Sequence, residues 1–77
     1  MDEQFFVFFI QFAMLNSYDV IINKIPVEDI LATTMPFIAH NPFAEPRIED
    51  MLGMLEYFEE QEDYEKCIKI KKLIDEI

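Results

Sequence analysis

The residues able to do chemistry gather near the C-terminus, in the stretch EDYEKCIKIKK at positions 62–72. It holds the only cysteine, Cys67, with Lys66, Lys69 and Lys71 around it. Cationic neighbours lower a thiol's pKa and can make it a nucleophile or a redox sensor. Cys67, however, falls on the apolar stripe of a helical pattern, and the only histidine, His40, lies far upstream in a proline-rich segment. The expectation is a packed thiol and an ordinary loop histidine, although an imidazole titrates between about pH 5 and 8. Beside the cysteine, Glu56, Glu59, Glu60, Glu62, Asp63 and Glu65 offer the oxygen ligands that hard cations prefer. The run lacks the glycine turn and ligand alternation of an EF-hand loop, and no Cys/His pair has metal-ligand spacing. Paired carboxylates for hydrolysis need a cleft, which so small a helical domain hardly forms. No metal, cofactor or catalytic group is expected, so the chain reads as a non-enzyme whose acids are either solvated or meet a basic partner.

The elements that would position these residues must fit in 77 residues, of which 52 % are hydrophobic and 14 % aromatic. A chain this short buries only about 60 % of its unfolded surface, so its apolar content asks for an additional burial partner. Sixteen acids against six bases give a formal net charge of −10. Nucleic-acid backbones and anionic lipid headgroups are both bound through Lys/Arg clusters. Direct nucleic-acid contact and membrane association are therefore not expected, whereas a protein with a basic or apolar surface fits. A lone cysteine suits a reducing, cytoplasmic setting, and no basic segment precedes the apolar N-terminus, so no secretory signal is expected.

Along the chain, the run QFFVFFIQFAML places Phe5, Phe8, Phe9, Phe12 and Leu15 on one helical face, with Phe6, Val7, Ile10, Ala13 and Met14 opposite. A helix apolar all round is normally covered on more than one side. A membrane span needs about 20 mostly apolar residues, and Gln, Asn and Ser interrupt this run. A core helix whose second face joins another copy is expected, with Phe5, Phe8 and Phe12 at the oligomer face of a dimer. A second helix is expected from Pro26 or Val27 to about Met35, with Glu28 and Asp29 favoured by the dipole of its first turn and Pro36 ending it. Residues 36–46, PFIAHNPFAEP, read as a linker held down by Phe37 and Phe43. Ile48, Met51, Leu52, Leu55 and Phe58 then form an amphipathic stripe, interrupted by Gly53, which suggests close approach of another backbone. Asp63 is placed to cap a fourth helix carrying Tyr64, Cys67, Ile70, Ile74 and Ile77. Glu62 with Lys66, Glu65 with Lys69 and Lys71 with Asp75 stand four apart, at ion-pair spacing. The chain is thus expected to be a single all-α domain of about four helices: a Phe-rich helical segment (residues 1–35), a linker (36–46) and an antiparallel hairpin (47–77).

This hairpin resembles the UVR motif of excision-repair subunits and stress-kinase adaptors. The likeness rests on Asp63, Tyr64 and Glu65 as the aspartate–aromatic–glutamate start. Cys67 stands at a small-residue position, Ile70 and Ile74 at the following apolar ones, and Lys71 where the family has Arg. Phe58, Glu62, Ile68 and Lys72 depart from the pattern. The resemblance spans about a third of the chain and implies a hairpin that docks on a similar hairpin or on another protein, without repair activity. In size and style the chain also resembles small acidic proteins of tailed phages.

Together these readings describe a small acidic, non-catalytic adaptor or regulator that binds protein by helix-on-helix contact. Phe58, Tyr64 and Lys71 would carry the contact, with Glu59, Glu60 and Glu62 beside them. The alternative is an acidic decoy, a nucleic-acid mimic whose carboxylates occupy the groove of a DNA-binding or transcription protein.

Overall fold

The computed structural model describes residues 3–77, and these form four helices with no strand among the described residues: α1 (Glu3–Ile21), α2 (Val27–Leu31), α3 (Ile48–Glu60) and α4 (Tyr64–Asp75). The all-α expectation holds. The chain divides into two compact units, one ending at Glu45 and the other spanning Pro46–Ile77. The proline-rich segment belongs mainly to the first unit.

In that first unit the Phe-rich run continues as helix through Asn16, Ser17 and Asp19 to Ile21. Its C-terminal half is the packed half, with Ala13, Ser17, Tyr18 and Ile21 buried at helical spacing and Ile30 of α2 buried as well. The helix ends where Lys24 turns into the left-handed region at φ 59°, letting the Ile25 N–H reach the Asp19 carbonyl at 3.0 Å. α2 stops at Leu31, a turn short of the expected Met35. Thr33 explains the early stop: its hydroxyl donates to the Ile30 carbonyl at 2.7 Å, where its own backbone N–H also binds at 3.1 Å. A Thr side chain competing for a backbone acceptor draws the chain out of helix, and Met35, preceding Pro36, is biased to extended geometry in any case.

The segment after α2 is held by polar residues of α1. Asn16 Nδ2 donates to the carbonyls of Met35 and Phe37, each at 2.8 Å, and the Ala39 N–H donates to Ser17 Oγ at 2.7 Å. A loop has no ladder to satisfy its backbone, and these two side chains replace one. The Phe37 ring adds a contact with Phe9, centroids 4.0 Å apart. Phe43, expected as the second anchor, is 82 % exposed and anchors nothing.

In the second unit α3 and α4 pack against each other as an antiparallel hairpin. Asp50 accepts the Arg47 N–H at 3.0 Å, closing the start of α3 one residue after Pro46. The hairpin core is Met51, Met54 and Phe58 from α3 with Cys67 and Ile70 from α4. A Cβ built on Gly53 meets nothing within 4 Å. No backbone approaches there, contrary to the expectation drawn from the glycine.

Candidate functional site

The hairpin corner is three residues long, and its geometry follows from Gln61, Glu62 and Asp63. Glu62 sits at φ 58°. That left-handed residue lets the Asp63 N–H bond the Phe58 carbonyl at 2.9 Å and the Glu62 N–H bond the Glu59 carbonyl at 3.0 Å, the Schellman pattern that satisfies the last carbonyls of a helix. Asp63 then opens α4 as expected: its carboxylate accepts the Lys66 backbone N–H at 3.4 Å and the Lys66 ammonium at 2.9 Å. Those bonds hold the Asp63 carboxyl below its ordinary value, Lys66 being the cause. The ammonium also lies 5.8 Å from the Phe58 ring centroid. Lys69 and Lys71 make no ion pair among the described residues, so the expected pairs with Glu65 and Asp75 do not form.

Each residue singled out at the hairpin has a clear place. Phe58 is 2 % exposed, edge-on to Tyr57 at 5.2 Å between centroids, and supports the corner from inside. It offers no surface to a partner. Tyr64, Lys71, Glu59, Glu60 and Glu62 are all exposed. Cys67 is buried, its sulfur 4.0 Å from the Leu55 carbonyl. Burial pushes its thiol up; Glu59 and Asp63 add to that and Lys71 opposes it. A protonated, enclosed thiol is a poor nucleophile. No group of three or more His, Cys, Asp or Glu side chains among the described residues is arranged to hold a metal ion.

What the stripe pattern hid is a second apolar surface. Ile48 and Leu52 of α3 are 44 % and 49 % exposed, and Tyr64 and Ile68 of α4 are 61 % and 67 % exposed. At about 3.6 residues per turn, Ile48 and Leu52 lie to one side of the stripe formed by Met51, Met54 and Phe58. Tyr64, Ile68 and Lys71 lie to the corresponding side of Cys67 and Ile70. Because the helices run antiparallel, those two sides form one face of the hairpin. Ile48 and Leu52 read as core in the sequence because they share the three-and-four spacing with Met51 and Phe58; the missing signal was Met54, whose burial rotates the core stripe away from them.

In the first unit, His40 is 8 % exposed rather than an open loop residue, with Nδ1 2.9 Å from Ser17 Oγ. A serine–histidine contact is the geometry of an activated nucleophile. Here Ser17 is fully enclosed and its oxygen already accepts the Ala39 N–H, so the pair belongs to the loop anchorage. Of the three residues expected at an oligomer face, Phe5, Phe8 and Phe12 are all exposed, along with Phe6, Val7 and Phe9. Compared with known proteins, the chain matches no family, no curated protein and no solved structure.

Proposed function

We propose that this chain is a small acidic, non-catalytic adaptor or regulator that receives a helix of another protein along the face made by Ile48, Leu52, Tyr64 and Ile68. The observation that carries this reading is that these four side chains, two per helix and four residues apart on each, are exposed on one side of a capped hairpin. Apolar positions at that spacing suit an amphipathic helix, whose anchors recur every three or four residues. The UVR-like pattern at Asp63, Tyr64 and Glu65 supports the same use. Glu59, Glu60 and Glu62 stand nearby on α3 and the corner, so a partner helix with basic flanks and an apolar stripe is the best complement. A reducing, cytoplasmic setting suits the single buried thiol.

The test compares capture of native-cell proteins by the wild-type chain, by Tyr64→Ala/Ile68→Ala and by Glu59→Gln/Glu60→Gln/Glu62→Gln, all checked for unchanged helicity. A specific partner retained by wild type and by the triple Gln variant, but weakened about tenfold or more by the double Ala variant, is expected, since truncating interface anchors typically costs above about 1 kcal/mol. Loss with the Gln variant alone would overturn the adaptor reading and favour the acidic decoy.

A further inference from the structure

The N-terminal half of α1 carries a different kind of surface, independent of the hairpin face. Phe5, Phe8, Phe9 and Phe12 fall within one narrow sector of the helix, each 36–56 % exposed. We infer that this sector is the interface of a homodimer in which α1 of one copy crosses α1 of a second copy antiparallel, about a two-fold axis between Phe8 and Phe9.

Three observations specify a second copy as the occupant. The spacing is self-complementary: reversal about the midpoint of Phe8 and Phe9 exchanges Phe5 with Phe12 and Phe8 with Phe9, so the sector maps onto itself. A two-fold interface requires that kind of patch, because the same surface of each copy must fit itself. The sector also lacks charge. Across residues 4–18 there is no Asp, Glu, Lys or Arg, so two chains of net charge −10 can meet here without opposing carboxylates within the patch. The area suits a weak, reversible contact. Taking about 200 Å² per Phe, the four rings leave roughly 370 Å² uncovered, within the range of the largest patches on soluble monomers. Two copies would bury roughly 750 Å², the scale of a transient pair rather than an obligate one.

A bilayer is a poorer occupant. The helix from Gln4 to Ile21 is long and apolar enough, by length and composition alone, to cross a membrane. Its second half, however, is committed to the fold: Asn16 and Ser17 bind the loop, and Ala13, Tyr18 and Ile21 are buried. The uncovered stretch, residues 5–12, is only about 12 Å long at 1.5 Å rise per residue, against a hydrocarbon core of about 30 Å.

The full chain is tested by sedimentation across a concentration series, without detergent. The expected result is a concentration-dependent rise from 9.2 kDa to twice that mass. Phe8→Asp, an exposed position, should remain at the monomer mass with unchanged helicity. Mixing Phe5→Cys with Phe12→Cys under mild oxidation should give a mixed disulfide between copies, while each variant alone cross-links no more than wild type, whose Cys67 is buried. A chain that stays monomeric up to about millimolar concentration would overturn the inference. So would cross-linking of Phe5→Cys with itself alone, which denotes a parallel pair, or a monomer that partitions into neutral phosphatidylcholine vesicles.

Discussion

At the scale of single residues, the hairpin unit holds two suboptimal backbone positions, and each makes a prediction. Glu62 holds a left-handed conformation that costs an L-residue roughly 1–2 kcal/mol and a glycine little. Glu62→Gly should therefore raise stability by about 1 kcal/mol, some of the gain being offset by the greater freedom of glycine in the unfolded chain. Gly53 is the reverse case: it sits inside α3 with open space where a Cβ would go. Gly53→Ala should add about 1 kcal/mol through helix propensity alone. Urea denaturation monitored by far-UV circular dichroism measures both. Asp63 contributes a pH dependence. Lys66 holds its folded-state pKa below the 3.8 of the unfolded chain, so its contribution is complete above that value. It is lost as pH falls through 3.8 toward the lower folded value. Wild type should accordingly lose its stability advantage over Asp63→Ala on acidification; an advantage that persists undiminished at low pH would contradict the Lys66 contact. Cys67, enclosed and protonated, should react with thiol reagents only as fast as the hairpin opens, so its alkylation rate should rise steeply with denaturant.

At the scale of elements, legibility in the sequence depended on whether a signal was periodic or positional. The helices α3 and α4 were legible because their apolar residues recur at three and four and because Asp63 is a strong cap. The assignment of faces was not. Ile48, Leu52, Met51 and Met54 satisfy overlapping periodic stripes, and only tertiary packing selects Met51 and Met54 as core and leaves the other two outside. The loop after α2 was illegible for another reason: Asn16 and Ser17 look like interruptions of an apolar helix, yet they supply the hydrogen bonds that residues 35–39 lack. Their roles depend on partners about twenty residues away, which no local pattern contains. Removing those groups tests the anchorage. Asn16→Ala leaves two half-buried carbonyls without their donor, and Ser17→Ala leaves the N–H of exposed Ala39 without its acceptor; water can replace part of each bond, so each loss should cost about 1 kcal/mol, the net worth of an ordinary hydrogen bond. Each variant should lower thermal stability, and hydrogen exchange at the Ala39 amide should quicken most in Ser17→Ala.

At the scale of the whole molecule, each of the two compact units leaves apolar surface exposed. One unit exposes a charge-free phenylalanine sector and the other an apolar face on a capped hairpin, while the remaining acidic surface keeps the net charge far from zero, which favours solubility. In our reading the first surface joins copies and the second recruits a partner helix. The acids then guide approach rather than hold the complex, which separates an adaptor from a decoy. The most direct measurement is the affinity of the captured partner for the full chain at low and high sodium chloride. Apolar docking predicts a dissociation constant that changes by roughly threefold or less, because screening weakens exposed charge contacts and leaves burial intact. A loss of affinity by two orders of magnitude or more would mean that carboxylates carry the binding, and would contradict the account.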